Sequence, residues 1–88
     1  MRYLVTYDIS DNKARDRVAR ILSKYGVRVQ FSCFEIDCKE DKLLKILREI
    51  KEIIEPTVDS IYIFPITKNA EQSIYEIGIR RRMNGKII

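Results

Sequence analysis

The order of apolar segments predicts an α+β fold: strand, helix, strand, strand, helix, strand, with an extra short strand near the C-terminus. Two kinds of pattern carry this reading. Residues 12–25 and 39–55 place apolar side chains in one row at helical spacing. Residues 2–8, 27–31, 33–37 and 58–66 are instead extended runs rich in β-branched and aromatic residues. The order is the split βαβ, or ferredoxin-like, pattern, with one antiparallel sheet and two helices on one face. Eighty-eight residues suffice for one such domain, 1–88, and not for a second core.

Each element has its own warrant. Residues 2–8 are apolar on both faces, as a central strand requires. Ser10 or Asp11 is an N-cap for the first helix, where Ala14, Val18, Ile21, Leu22 and Tyr25 form the stripe, and Gly26 sits where a left-handed C-cap belongs. A bend at Gln30-Phe31-Ser32 divides residues 27–37 into a hairpin. In the second helix Leu43, Leu47, Ile50 and Ile54 form the row and Pro56 is the stop. Residues 58–66 read as a second central strand, with Pro65 marking its exit. Residues 73–79 alternate like a strand, Asn84-Gly85 is a turn, and Lys86-Ile87-Ile88 is an apolar tip with nothing in its own domain to cover it.

Composition limits the chemistry. The N-terminus has no signal peptide, because Asp8 interrupts its apolar run, and no window is long enough to span a membrane. Cys33 and Cys38 point to opposite faces of an extended run and cannot bridge, which suits a reducing, cytoplasmic setting. The net charge is +4, and nine of the 17 cationic side chains are arginine, whose planar fork of donors matches phosphate oxygens. A charge-rich solvated surface accounts for the same composition.

No histidine, nucleophile elbow, glycine-rich phosphate loop or zinc-ligand pattern is present. Carboxylate chemistry with a hard cation remains. Asp8 ends the first strand just before a helix and is the candidate ligand, although an aspartate there is also a common turn or cap residue. One Asp8 makes a poor Mg²⁺ site; two copies across a dimer axis make a plausible one. Arg15 and Arg17 lie on opposite flanks of the first helical stripe, placed either to clamp a phosphate or to lie over the core edge. Arg80, Arg81 and Arg82 form a run able to track a phosphate backbone. Tyr7 and Phe34, on their own spacing, are core aromatics.

Taken in order, Tyr7-Asp8-Ile9-Ser10-Asp11, Arg15-x-Arg17-Val18, Gly26, Arg28, Gln30-x-Ser32-x-Phe34-Glu35 and Phe64-Pro65-Ile66-Thr67 resemble the small ferredoxin-like endonuclease family of CRISPR adaptation. This is the smaller of the two core proteins that acquire new spacers. The resemblance implies a homodimer with sheets face to face, each C-terminal strand crossing to the partner, and Asp8 of both subunits flanking one Mg²⁺. It places Tyr7, Arg15, Arg17, Arg28, Ser32 and Phe34 at or near the site. It implies a metal-dependent endonuclease acting on single-stranded RNA or duplex DNA and working with a CRISPR integrase. Other functions within the resemblance are a non-cutting DNA scaffold of spacer integration and a toxin-type endoribonuclease. A sheet-face RNA-binding module built on Tyr3 and Phe31 is a third class, though the paired aromatic motif of such modules is missing.

Overall fold

A computed structural model describes residues 1–79 and 85–88. The elements run β1 (Arg2–Asp8), α1 (Asn12–Ser23), β2 (Gly26–Gln30), β3 (Cys33–Asp37), α2 (Glu40–Lys51), β4 (Ser60–Ile66), α3 (Lys68–Gln72), β5 (Tyr75–Glu76) and β6 (Lys86–Ile87). The main sheet has the order β2-β3-β1-β4 and every pairing in it is antiparallel, as the ferredoxin-like pattern requires.

The pleat of β1 decides where the core lies. Tyr3, Val5 and Tyr7 turn to one face and are buried beneath the helices; Leu4, Thr6 and Asp8 turn to the other. Val18, Ile21 and Leu22 of α1, Phe34 and Ile36 of β3, and Ile46 and Ile50 of α2 complete that core. Phe34, Leu22, Ile36, Ile46, Ile50, Val5 and Val18 lose essentially all contact with solvent. Each such burial contributes roughly 1.5–3 kcal/mol against chain entropy.

The helix starts follow local chemistry. Asp11 caps α1, its Oδ2 accepting from the Ala14 amide at 2.8 Å. The α2 N-cap, Lys39, makes no side-chain cap bond, but Glu40 and Asp41 place negative charge in the first turn.

Several boundaries differ from those the sequence predicts. The first helix closes at Ser23, where tight bonds from Lys24 N to Ile21 O (3.1 Å) and Tyr25 N to Leu22 O (3.0 Å) end the α-helical ladder. Gly26 is not a left-handed cap but the first residue of β2. A Cβ there would run into the carbonyl oxygen of Glu35 on the paired strand, so close backbone approach is what requires glycine. The second helix ends at Lys51, well before Pro56. There the Ile50 carbonyl accepts from Ile53 N (2.9 Å), a tightened i→i−3 bond, as well as from Ile54 N (3.2 Å), and the α-helical ladder stops while Ile53 and Ile54 still pack against the core.

The fourth strand starts at Ser60 and, among the described residues, pairs only with β1, so it is an edge rather than a central strand. Its apolar character instead serves two faces. Ile61 and Ile63 pack against the core, while Tyr62 and Phe64 stack on the open face with ring centroids 6.4 Å apart.

The strand expected over residues 73–79 reduces to Tyr75–Glu76, preceded by α3, whose cap is Thr67 accepting from the Ala70 amide at 3.1 Å. Tyr75–Glu76 pairs in parallel with Lys86–Ile87 of the same chain. The segment from α3 to β5 lies over the open face of the sheet, leaving a groove of about 440 Å³ among Leu4, Cys33, Phe64, Ile74, Tyr75 and Ile77. Ile87 and Ile88 remain exposed, in keeping with an uncovered tip.

Candidate active site

The end of β1, the start of α1 and the β2–β3 hairpin turn meet at one corner of the molecule. Asp8 is the last residue of β1, opposite Ser60 on β4, and its side chain is exposed. Among the described residues that side chain enters no hydrogen bond or ion pair. The loop beyond it is held from two sides. From α1, Arg15 donates through Nη1 to the Ile9 carbonyl (3.2 Å) and through Nη2 to Asn12 Oδ1 (2.6 Å). From the far end of the α2–β4 connection, Asp59 Oδ1 accepts from the Ser10 amide at 3.0 Å, while Oδ2 accepts from the Glu55 amide at 2.9 Å. Those two charge-assisted bonds lower the Asp59 carboxyl below its ordinary value of 3.8.

The hairpin turn supplies the other half. The Phe31 carbonyl accepts from Arg28 through Nε (3.0 Å) and Nη2 (2.7 Å), and lies 3.4 Å from the Tyr7 hydroxyl, which donates to it. Tyr7 N also donates to Ser32 O at 3.1 Å, continuing the pairing of β1 with the turn. Arg28 lies over both the Phe31 and Phe34 rings, 5.2 and 5.3 Å from their centroids, and Arg15 lies 5.8 Å over Phe31. Tyr7 stacks on Phe34 at 6.4 Å. Burial, the largest influence, pushes the Tyr7 phenol above its ordinary 10.0, against the lowering influence of Arg28 and Arg15.

The structure therefore brings Tyr7, Arg15, Arg28, Ser32 and Phe34 together beside the loop that follows Asp8. Arg17 is exposed on α1 and takes no part in that network. Arg80, Arg81 and Arg82 lie outside the described residues. Phe34 is fully buried, so direct contact with nucleic acid is closed to it in the single chain; its ring supports Tyr7 and Arg28. Tyr3 is likewise buried on the helix side, which removes the sheet-face module built on Tyr3 and Phe31. Asp59 and Asn12 are site residues that spacing does not reveal. Asn12 stands a helical turn before Arg15, but Asp59 reaches Ser10 across 49 positions of sequence.

The donor set suits a hard cation only in part. Among the described residues no group of three or more His, Cys, Asp or Glu side chains is placed to hold a metal ion. One chain offers the Asp8 carboxylate, exposed and unpaired among the described residues, as an oxygen donor that could serve a hard cation.

Comparison with known proteins agrees with this architecture. The family described as CRISPR associated protein Cas2 matches residues 1–74. A relative from Thermodesulfovibrio yellowstonii, named CRISPR-associated endoribonuclease Cas2 3, is 37% identical over 89 residues, covering 100% of both chains. The crystal structure of Streptococcus pyogenes Cas2 superposes with a TM-score of 0.81 at 31% identity, covering 89% of this chain and 100% of that one. A chain of a partial Cas6-RT-Cas1–Cas2 complex superposes at 0.70 with 32% identity, covering 78% of this chain and 76% of the other. With the family match over residues 1–74, the identity over the full chain and the shared fold, this chain belongs to the CRISPR-associated Cas2 family.

Proposed function

We propose that this protein is a metal-dependent endonuclease of CRISPR adaptation that acts as a homodimer on nucleic acid, in the cytoplasm. The observation that carries the reading is the exposed, unpaired Asp8 carboxylate, set one residue before a carbonyl gripped by Arg15. Relatives named endoribonucleases support nuclease chemistry on RNA, and the likeness to a chain of a Cas1–Cas2 complex supports an integrase partner.

The dimer follows from the half-site and from the open face of the sheet. Tyr62 and Phe64 are exposed there, β4 offers an edge unpaired among the described residues, and Ile87 and Ile88 expose apolar surface. A second copy would cover such a surface and bring a second Asp8 to complete the donor pair for Mg²⁺. When bound, the ion supplies charge neutralisation at the phosphate and lowers the pKa of a coordinated water. The chain's own residues do the rest. Asp59 and Arg15 fix the Asp8 loop, and Arg28 holds positive charge at the rim, where charge on the phosphate grows during in-line displacement.

Cleavage of single-stranded RNA and duplex DNA, with and without Mg²⁺, compares wild type with Asp8→Asn. The expected outcome is metal-dependent cutting by wild type only, with the variant binding as tightly or slightly tighter because negative charge has been removed. Undiminished cutting by the variant moves the chemistry away from Asp8. A second reading, a DNA-binding scaffold for the integrase, draws on the likeness to a chain of the Cas1–Cas2 complex, and absence of cutting by wild type over a range of pH and metals would favour it.

A further inference from the structure

Phe31 stands at the tip of the β2–β3 hairpin with 68% of its surface exposed. Water-exposed phenylalanine is common enough singly, but this one is both held and charged around. Its carbonyl is fixed by both the Nε and Nη2 donors of Arg28 and faces the Tyr7 hydroxyl, so the turn that presents the ring is pinned to the sheet. Two guanidiniums, of Arg15 and Arg28, lie within 6 Å of the ring centroid, at 5.8 and 5.2 Å. Among the described residues neither arginine is paired with a carboxylate. With these guanidiniums over it the residue is still 68% exposed, and an aromatic ring with that much open surface next to cations that lack a carboxylate partner suits a ligand that carries a flat π-system and a phosphate in alternation.

We propose that Phe31 is a stacking platform for an unpaired base of the bound strand, with Arg28 and Arg15 facing the flanking phosphates. This goes beyond the nuclease reading, on which it rests, by giving the Phe31 ring, which that reading does not use, the task of holding one unpaired base. A duplex keeps its bases stacked inside and offers none to Phe31 except at an end, whereas an unpaired base is free to lie on the ring. Pinning the turn before the ligand arrives removes ordering cost from binding.

The test uses full-length protein carrying Asp8→Asn, so that the probe survives, and fluorescence anisotropy with a short labelled single-stranded RNA and the same sequence as a duplex. Phe31→Leu keeps apolar bulk but removes the π-face. It should weaken single-strand binding about 5- to 100-fold and leave duplex binding and the salt slope unchanged, since no charge is lost. Phe31→Tyr should retain wild-type affinity. Moving one abasic position along the RNA should find a site where the platform protein loses affinity and the Phe31→Leu protein does not, which a purely structural role for the ring would not produce. Equal loss on single strand and duplex, no loss on either, or no such abasic site overturns the platform. Cleavage is not read here, so a wild-type protein that fails to cut would overturn the nuclease reading and leave this comparison standing.

Discussion

Asp59 accepts the Ser10 amide at 3.0 Å, and through that bond the chain just after Asp8 is tied to a loop 49 positions further along the sequence. The same carboxylate takes the Glu55 amide with its second oxygen, so one side chain closes two loops against each other. Only a carboxylate accepts on both sides. Asparagine would turn an N–H toward one of the two amide donors. Asp59→Asn should therefore lower the melting temperature by a few degrees and slow cleavage more than it weakens nucleic-acid binding. Because the two amides lower the Asp59 carboxyl below 3.8, its contribution is present above that pH and disappears as the pH falls below it. Melting curves should thus separate wild type from variant at neutral pH and converge in strong acid; curves that coincide throughout would remove Asp59 from the site.

Gly26 tests the hairpin's footing. A methyl group there meets the Glu35 backbone rather than a flexible side chain, so Gly26→Ala must part β2 from β3. Overpacking of this kind costs about 1–3 kcal/mol, and more when backbone must move. The hairpin also carries Arg28 and Phe31, so nucleic-acid affinity should fall along with thermal stability. A variant with unchanged melting would show that the strands separate freely at this point.

Much of this was legible in the sequence because local periodicity decides it. The helical stripe around Val18, Ile21 and Leu22 repeats every three to four residues, the run ending at Asp8 is β-branched and aromatic on both faces, and the bend after Gln30 interrupts a second extended run. The five-residue α3 is too short to establish a period and carries no signal of its own, and the alternation over residues 73–79 is realised as a strand only at Tyr75–Glu76. An apolar run such as Ser60–Ile66 looks the same whether it sits centrally or at an edge with two covered faces. The Tyr7, Arg15 and Arg28 positions were found through a family pattern, whereas the depth of Phe34 and the reach of Asp59 depend on tertiary packing with no local signature.

Tyr7 bears on alkaline behaviour. Burial raises its phenol above 10.0, and Tyr3 is raised as well, first by burial and then by Glu40 and Cys38. Both rings favour the protonated fold, so their contribution is full below pH 10 and is lost as pH climbs through the folded-state values. Tyr7→Phe should flatten the loss of stability above pH 10 without abolishing it, since Tyr3 remains. The pH profile of cleavage around neutrality should keep its shape in the same variant. A profile that shifts near pH 7 on removal of the hydroxyl would give Tyr7 a titrating role.

The C-terminal tip tests assembly. Lys86 N donates to Ile74 O at 2.7 Å and Ile88 N to Glu76 O at 2.9 Å, so β6 closes β5 while its isoleucines face outward. Deleting residues 83–88 should lower the melting temperature by unpairing Tyr75–Glu76 and shift sedimentation toward monomer. A truncated protein that sediments as a dimer and melts like wild type counts against the tip as part of the interface.

Arg15 and Arg17 are two positions apart in sequence and unlike in structure. Arg15 spans the Ile9 carbonyl and the Asn12 side chain with two nitrogens of one guanidinium, whereas Arg17 is an exposed charge on α1. Lysine keeps charge but has no fork with which to make both bonds. Arg15→Lys should therefore lose single-turnover cleavage almost as severely as Arg15→Ala, by on the order of 10²–10³, as for removal of a preorganised donor. Arg17→Lys should stay close to wild type, and Arg17→Ala should mainly reduce the salt slope of binding by roughly 0.7 to 0.9, the signature of one lost phosphate contact. Binding and single-turnover rates for all four variants across a range of salt would separate geometry from charge. If Arg15→Lys cuts as fast as wild type, the grip on the loop beyond Asp8 is dispensable and Arg15 acts by charge alone.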